Sequence, residues 1–385
     1  MDQENKKINL CYFISEDWYF ISHRFELAKA LIKENYEIKL ICKISVYRKL
    51  IEDAGIEVID INFKRSSFNI FNDLINIYKL RKIIFHYNFD ILHNVGIKPI
   101  IVGSILGLIS KVPTIINAFA GMGYLFTSKN STQFLVRMIF TFCMKFISRY
   151  KKVYYLTQNS KDKELLCKIF SLRNSNIFII PGSGIDIKKN KFYKKNYFHN
   201  NKYQIIMHSR ILWDKGVKEF FEASQILKKQ NFDCMFYLIG KIDYNNPSTI
   251  PKEKLLKWSE NDNFKWLGYK NNITTYLIKS DISCLPSYRE GLPKSILVDC
   301  ACGTPVITTK IPGCEDIIKD GFNGILINPR SSDSLANAVL CLAKNPKKRE
   351  IYAKRSRKII EERFSIEEIL KQTTFMYNQI LKKND

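Results

Sequence analysis

No stretch of eighteen or more residues in this chain is uninterruptedly apolar, although 46% of its 385 residues are hydrophobic. That argues against a membrane-spanning helix and leaves ample material for a folded core. Paired cysteines are missing too: ten are scattered along the chain and none forms a C-x-x-C. Cys11, Cys42, Cys234 and Cys284 fall in apolar runs, and Cys300 and Cys302 are one residue apart. This usage excludes a disulfide framework or zinc site and predicts reduced core thiols in a cytoplasmic protein. The opening Met1-Asp-Gln-Glu-Asn-Lys-Lys7 runs into a short apolar stretch, Ile8–Ile14, which has neither the length nor the flanks of a signal peptide. Internal repeats and low-complexity domains are lacking. Acid is scarce, with 37 Asp and Glu against 61 Lys and Arg and a formal charge of +24. Lys, Asn and Ile are abundant while Ala is sparse, so part of that excess reflects compositional bias. No DNA- or RNA-reading motif is present and the cations are dispersed, so no nucleic-acid partner is expected.

What is there is alternation. The length exceeds one ordinary core and predicts two domains. In the first half, strands are expected near 8–14, 37–42, 56–61, 90–94, 113–118, 152–157 and 177–180. Helices fall between them, notably Arg24–Glu34, Ile70–His86, Pro99–Ser110 and Ser131–Arg149. This is the pattern of a doubly wound α/β sheet. Pro181-Gly-Ser-Gly-Ile-Asp186 and the Lys/Asn/Tyr-rich run to Lys202 break the periodicity. The expected division is therefore 1–185, a linker 186–202, a second domain 203–364 and a terminal helix 365–385.

The most informative segment is Tyr288-Arg-Glu-Gly-Leu-Pro-Lys-Ser-Ile-Leu-Val-Asp-Cys-Ala-Cys-Gly-Thr-Pro-Val-Ile307. It follows a buried-strand pattern, Asp281–Pro286, and places Glu290 and Gly291 in a turn. Pro293 then opens a helix that Gly303 stops. The helix start offers unpaired N–H groups and partial positive charge beside an acidic side chain, which suits a ligand with phosphate at one end and hydroxyls at the other. The plainer alternative is that Glu290 caps the helix and pairs with Arg289 or Lys294. A second strand–turn–helix, Tyr203–Met207, His208–Gly216 and Val217–Lys229, sets Arg210 and Lys215 on the turn at the carboxyl end of a strand, where ligands of open α/β sheets collect. Taken singly, each is as well explained as a solvated cation.

Together these two segments resemble retaining glycosyltransferases of family 4. The resemblance implies a GT-B fold, two doubly wound Rossmann-like domains facing a central cleft. In that family an Arg and a Lys grip the donor diphosphate, and Arg210 and Lys215 match them. An acidic residue, here Glu290, faces the sugar, with Gly291 and Leu292 beside it in the donor site. The family places a second acid eight residues after the first, commonly on the nucleotide ribose. This chain has Val298 there and Asp299 one position late, about 100° further round a helix. Either the ribose is held otherwise, or a distorted helix lets Asp299 reach it, or donor affinity is reduced.

The amino-terminal domain is expected to take the acceptor. Ser15–Arg24, after the first strand, and Asn117–Thr127, after the fifth, resemble bacterial family 4 enzymes that extend sugars on polyprenyl-diphosphate carriers. His23, Gly121 and Gly123 are the acceptor-side candidates; His23 reads equally as a helix-start residue satisfied by backbone. Residues 133–152, read as a helix, set Arg137, Thr141, Lys145 and Ser148/Arg149 on one narrow stripe among large apolar groups. An interfacial helix on an anionic membrane has that pattern, with about 1 kcal/mol per cation near the headgroups. A core helix with a thin solvated stripe has it as well.

The implied reaction moves a sugar, an N-acetylhexosamine by this resemblance, from a UDP-sugar to a polyprenyl-diphosphate-linked saccharide, with retention of configuration. The enzyme would be peripheral on the inner face of the plasma membrane. The resemblance implies no cofactor beyond the substrate nucleotide sugar, and without an Asp-x-Asp motif no bridging metal is expected. Arg210 and Lys215 would neutralise the leaving diphosphate, and closure of two lobes would exclude water. Two alternatives share the diphosphate grip: a nucleotide-sugar epimerase, which forms product from donor alone, and a catalytically silent membrane-associated scaffold, which binds nucleotide without turnover.

Overall fold

The computed structural model describes residues 7–62, 70–119, 131–196, 202–244 and 246–384. It divides into two compact units, Met1–Gly184 with Ile366–Asp385, and Ile185–Ser365. The first begins with β1 (Ile8–Glu16), α1 (Asp17–His23), α2 (Phe25–Lys33), β2 (Tyr36–Lys43), α3 (Arg48–Glu52) and β3 (Glu57–Asp60). It continues with α4 (Ile70–Tyr87), β4 (Ile91–Val95), α5 (Ile97–Ile109) and β5 (Thr114–Ala118). Then come α6 (Ser131–Ile147), β6 (Val153–Thr157), α7 (Ser160–Phe170) and β7 (Ile177–Ile179). The second unit runs β8 (Tyr203–His208), α8 (Val217–Lys229), β9 (Cys234–Ile239), α9 (Lys252–Ser259), β10 (Phe264–Trp266), α10 (Thr274–Lys279) and β11 (Ile282–Leu285). It ends with α11 (Lys294–Cys302), β12 (Val306–Thr309), α12 (Cys314–Ile317), β13 (Gly324–Ile327), α13 (Ser332–Ala343) and α14 (Pro346–Ile359). The last helix, α15 (Ile366–Asn384), belongs to the first unit.

Both sheets are wholly parallel among the described residues. Their orders are β3-β2-β1-β4-β5-β6-β7 and β10-β9-β8-β11-β12-β13. Each is doubly wound, so the chain reverses direction across the sheet between β1 and β4 in one and between β8 and β11 in the other. At such a point the loops leaving adjacent strands diverge and open a crevice at the carboxyl ends. Strands covered on both faces show no alternation of exposure: β4, β5 and β6 are buried at every position, and polar His93, Asn94 and Asn117 among them are hydrogen-bonded inside. The first sheet has a core on each face. Leu80, Ile100, Phe140 and Met144 fill one. Tyr12, Leu27 and Leu40 fill the other, together with Ile369, Met376, Tyr377 and Ile380 of α15.

Several local readings need correction. Residues 15–24, expected after the first strand, begin within it: β1 runs on to Glu16 and α1 follows at once. Its start is fixed by buried Asp17, which accepts hydrogen bonds from Ser45 and from the Tyr47 backbone. Pro293 stands just before α11, as its N-cap residue. The segment expected as a linker is fastened to the second unit. Arg357 donates to the carbonyls of Asn190 and Ala301 at 2.7 and 2.8 Å, and Lys195 donates to Leu277 O at 2.6 Å and Thr304 Oγ1 at 2.8 Å. On α6, Phe140 points into the core at 1% exposure, whereas Phe142 on the opposite side is 75% exposed. All ten cysteines are free, and burial pushes the thiols of Cys11, Cys42, Cys284 and Cys300 up.

Candidate functional site

In the second unit the switch point carries the charged cluster. The loop leaving β8 turns at Trp213–Lys215 and enters α8 through Gly216, whose φ is +74°. Only glycine fits there: a Cβ would lie 2.1 Å from the carbonyl oxygen of Pro286, on the loop leaving β11. Gly313 does the same from a third loop, with a Cβ position 2.2 Å from Gly291 O. Two close backbone approaches thus draw three loops around one spot.

Glu290 sits at that spot with its side chain 9% exposed. Lys215 Nζ donates to its Oε1 at 2.5 Å and Ser287 Oγ donates to the same oxygen at 2.6 Å. Both bonds fall on Oε1, which leaves Oε2 for a further donor such as a sugar hydroxyl. Glu290 is thus neither merely a helix cap nor paired only with its chain neighbours. The neighbouring Tyr288 locks the loop in place. Its N–H donates to Asp214 O at 2.9 Å, its hydroxyl donates to Glu219 at 2.6 Å, and the Arg330 guanidinium covers its ring at 3.9 Å. Burial, and then the Glu219 carboxylate, push the Tyr288 phenol above its ordinary range. Arg210 lies on the same β8 loop and pairs with Asp243 at 3.1 Å, both side chains substantially exposed. A surface pair of this kind holds its partners weakly.

The structure thus brings Lys215 and Glu290 into contact and sets Arg210 on the loop that carries Lys215. It turns Asp299 away. That residue faces the sheet from α11, with one oxygen held by His208 Nε2 and the other by Ser283 Oγ, both at 2.6 Å. The helix is not distorted toward a ligand, and its end is an ordinary glycine cap at Gly303, φ +79°. Asp299 is therefore corrected from a ribose ligand to an internal one, and Val298 packs in the core cluster. In the first unit, His23 ends α1 and stacks on Tyr19 with ring centroids 4.2 Å apart; its Nδ1 donates to Tyr19 O at 3.2 Å. Gly121 and Gly123 lie outside the described residues.

Ser287, Asp243 and His208 were not singled out from sequence. Ser287 was legible only as a turn residue. His208 had a signal: it is the polar end of the apolar strand Ile205-Ile-Met207, directly before Ser209-Arg210.

The two doubly wound parallel sheets have GT-B architecture, and comparison with known proteins gives the class, a glycosyltransferase. Residues 9–160 match the glycosyl transferase 4-like family and residues 188–359 match glycosyl transferases group 1. The chain belongs to these glycosyltransferases. It is 28% identical over 357 residues to the N,N'-diacetylbacillosaminyl-diphospho-undecaprenol alpha-1,3-N-acetylgalactosaminyltransferase of Campylobacter jejuni, covering 89% of this chain and 91% of the relative. It is 26% identical to the UDP-Gal:alpha-D-GlcNAc-diphosphoundecaprenol alpha-1,3-galactosyltransferase of Escherichia coli, over 82% and 81% of the two chains. Among solved structures, a glycosyltransferase from Rickettsia africae matches with a TM-score of 0.78 at 19% identity, covering 98% and 99% of the chains. Anabaena HepE, in complex with UDP and glucose, matches with a TM-score of 0.77 at 16% identity, covering 97% and 100%. At those identities the likeness is one of fold.

Proposed function

We propose that the protein transfers a sugar, an N-acetylhexosamine, from a UDP-sugar to a saccharide linked to polyprenyl diphosphate, with retention of configuration. The observation that carries this reading is the Lys215–Glu290–Ser287 cluster at the switch point of the second sheet. Arg210 and Lys215 neutralise the diphosphate as the glycosidic bond breaks, and Glu290 accepts hydrogen bonds from the donor sugar. The leaving phosphate itself takes the proton of the acceptor hydroxyl on the same face, so the protein supplies charge stabilisation and no nucleophile. Both relatives named above act, by their names, on undecaprenyl-diphosphate-linked sugars, and each alignment spans more than four-fifths of both chains. That supports a lipid-linked acceptor here.

A lipid-linked acceptor requires the enzyme to work at a bilayer, and the surface of the first unit favours an anionic one. No described helix is long and apolar enough to cross a membrane. Yet α4, α5 and α6, which cover one face of the first sheet, expose Tyr78, Phe85, Ile105, Ile109, Phe142 and Phe146 to solvent. Residues 91–161 contain no Asp or Glu and nine Lys and Arg. An apolar face in a segment this rich in positive charge suits peripheral docking on acidic headgroups, and supports reading the enzyme as peripheral on the inner face of the plasma membrane.

Incubating the protein with a panel of UDP-sugars and short polyprenyl-diphosphate saccharides tests the reaction. A lipid-linked product one sugar longer is expected. Product formed from donor alone points to an epimerase, and nucleotide binding without turnover to a scaffold.

A further inference from the structure

We infer that His208, held in place by Asp299, is a binding residue for the nucleoside-diphosphate end of the donor. This rests on the donor-site reading above. His208 is the last residue of β8, at the carboxyl edge of the sheet and directly beside the switch point. It stands two residues before Arg210 on the chain that forms the phosphate loop.

Asp299 has a side chain only 2% exposed, and each of its oxygens is occupied, by His208 Nε2 and by Ser283 Oγ. A carboxylate only accepts hydrogen bonds, so the bonded Nε2 must carry a proton. That bond fixes both the ring plane and the proton position, leaving Nδ1 as the free end of the imidazole. Nδ1 makes no hydrogen bond within the protein and is not sealed from solvent, and the side chain as a whole is 14% exposed. A histidine serving only to tie β8 to α11 would have no need of an outward nitrogen at the ligand edge of the sheet. Here the buried acid orients a ring whose other nitrogen points out of the core. Asp299 is a positioning residue and His208 the contact. Nδ1 accepts from a ribose hydroxyl in the neutral ring and donates to a phosphate oxygen in the imidazolium form.

Calorimetric titration of the whole protein with UDP tests this. His208→Gln is expected to weaken UDP binding about tenfold, the loss of one hydrogen bond. Asp299→Asn should raise the donor KM with the acceptor KM unchanged, which loss of packing alone would not do. A parallel titration with inorganic pyrophosphate separates the two sources: loss with both ligands assigns the contact to phosphate, and loss with UDP alone assigns it to the nucleoside. Wild-type protein that binds UDP, with His208→Gln matching it within about twofold, overturns the inference and leaves the donor site standing. Wild-type protein that binds no UDP removes both. Should the variants fail to fold, side-chain ¹⁵N spectra of the five histidines in the wild type serve instead. A shift of the His208 Nδ1 signal on saturation with UDP is expected, and an unmoved signal overturns the inference.

Discussion

Loops leaving β8 and β11 in the second unit bond Lys215 and Ser287 to Glu290, with Tyr288 held on three sides on the same loop. The equivalent strands of the first unit, β1 and β4, are polar in a different way. His93 on β4 bonds Tyr377 of α15 at 2.7 Å, and Tyr377 in turn approaches the Tyr12 hydroxyl at 3.4 Å. All three lie inside the core, where burial pushes the His93 imidazole well below its ordinary value. One switch point thus offers charge to a ligand, while the other uses neutral polar groups to seat the returning helix. The first unit's outward asset is the apolar face of α4, α5 and α6. The same topology thus carries a charged cluster in one unit and a buried neutral network in the other, and side chains alone decide which.

The largest expected loss of turnover comes from the charged cluster. Arg210→Ala and Lys215→Ala should each raise the transfer barrier by about 2–4 kcal/mol, read from kcat/KM, with unchanged circular dichroism. Lys215→Ala should be the worse, since it also leaves Glu290 buried without its cation. Glu290→Gln keeps the shape of the side chain and should lower kcat more than it lowers Tm. Near-normal turnover in the two cation variants would remove the donor grip from this loop.

The two faces of α6 should separate stability from attachment. Phe140→Ser opens a core cavity and is expected to cost about 3–5 kcal/mol in denaturant unfolding. Phe142→Ser with Phe146→Ser should leave unfolding nearly untouched but weaken sedimentation with vesicles containing acidic lipid. That binding should fall with salt, because screening shortens the reach of exposed charge to about 8 Å at physiological ionic strength. Equal binding to neutral vesicles would contradict the electrostatic part.

How much of this was legible beforehand follows the periodicity. The strands of the first half and helices such as α8 were readable because buried parallel strands and amphipathic helices write their burial directly into residue order. The Arg210, Lys215 and Glu290 positions were readable from motif spacing. That Asp299 faces away from the crevice follows from its being one residue out of phase, but its partners were not readable, since Ser283 and His208 lie 16 and 91 residues away in sequence. Nor was the fastening of residues 186–196, whose polar composition suggests a linker although Lys195 is bonded into the second unit.

That lysine gives an effect on stability alone. Burial pushes the Lys195 ammonium down to about 7, below its value in an unfolded chain. Between that pH and the ordinary lysine range the unfolded state binds more protons, so stability should rise with pH across the window. Lys195→Met should flatten that slope in urea melts taken from neutral to alkaline pH. An unchanged slope would mean the ammonium stays charged in place.

The most direct test of the donor site is a crystal structure of the protein with a UDP-sugar bound. The expected result places the diphosphate within hydrogen-bonding distance of Arg210 and Lys215 and a sugar hydroxyl on the free oxygen of Glu290. A diphosphate bound away from the β8 loop, with the Lys215–Glu290 pair undisturbed and no sugar near it, would contradict the assignment.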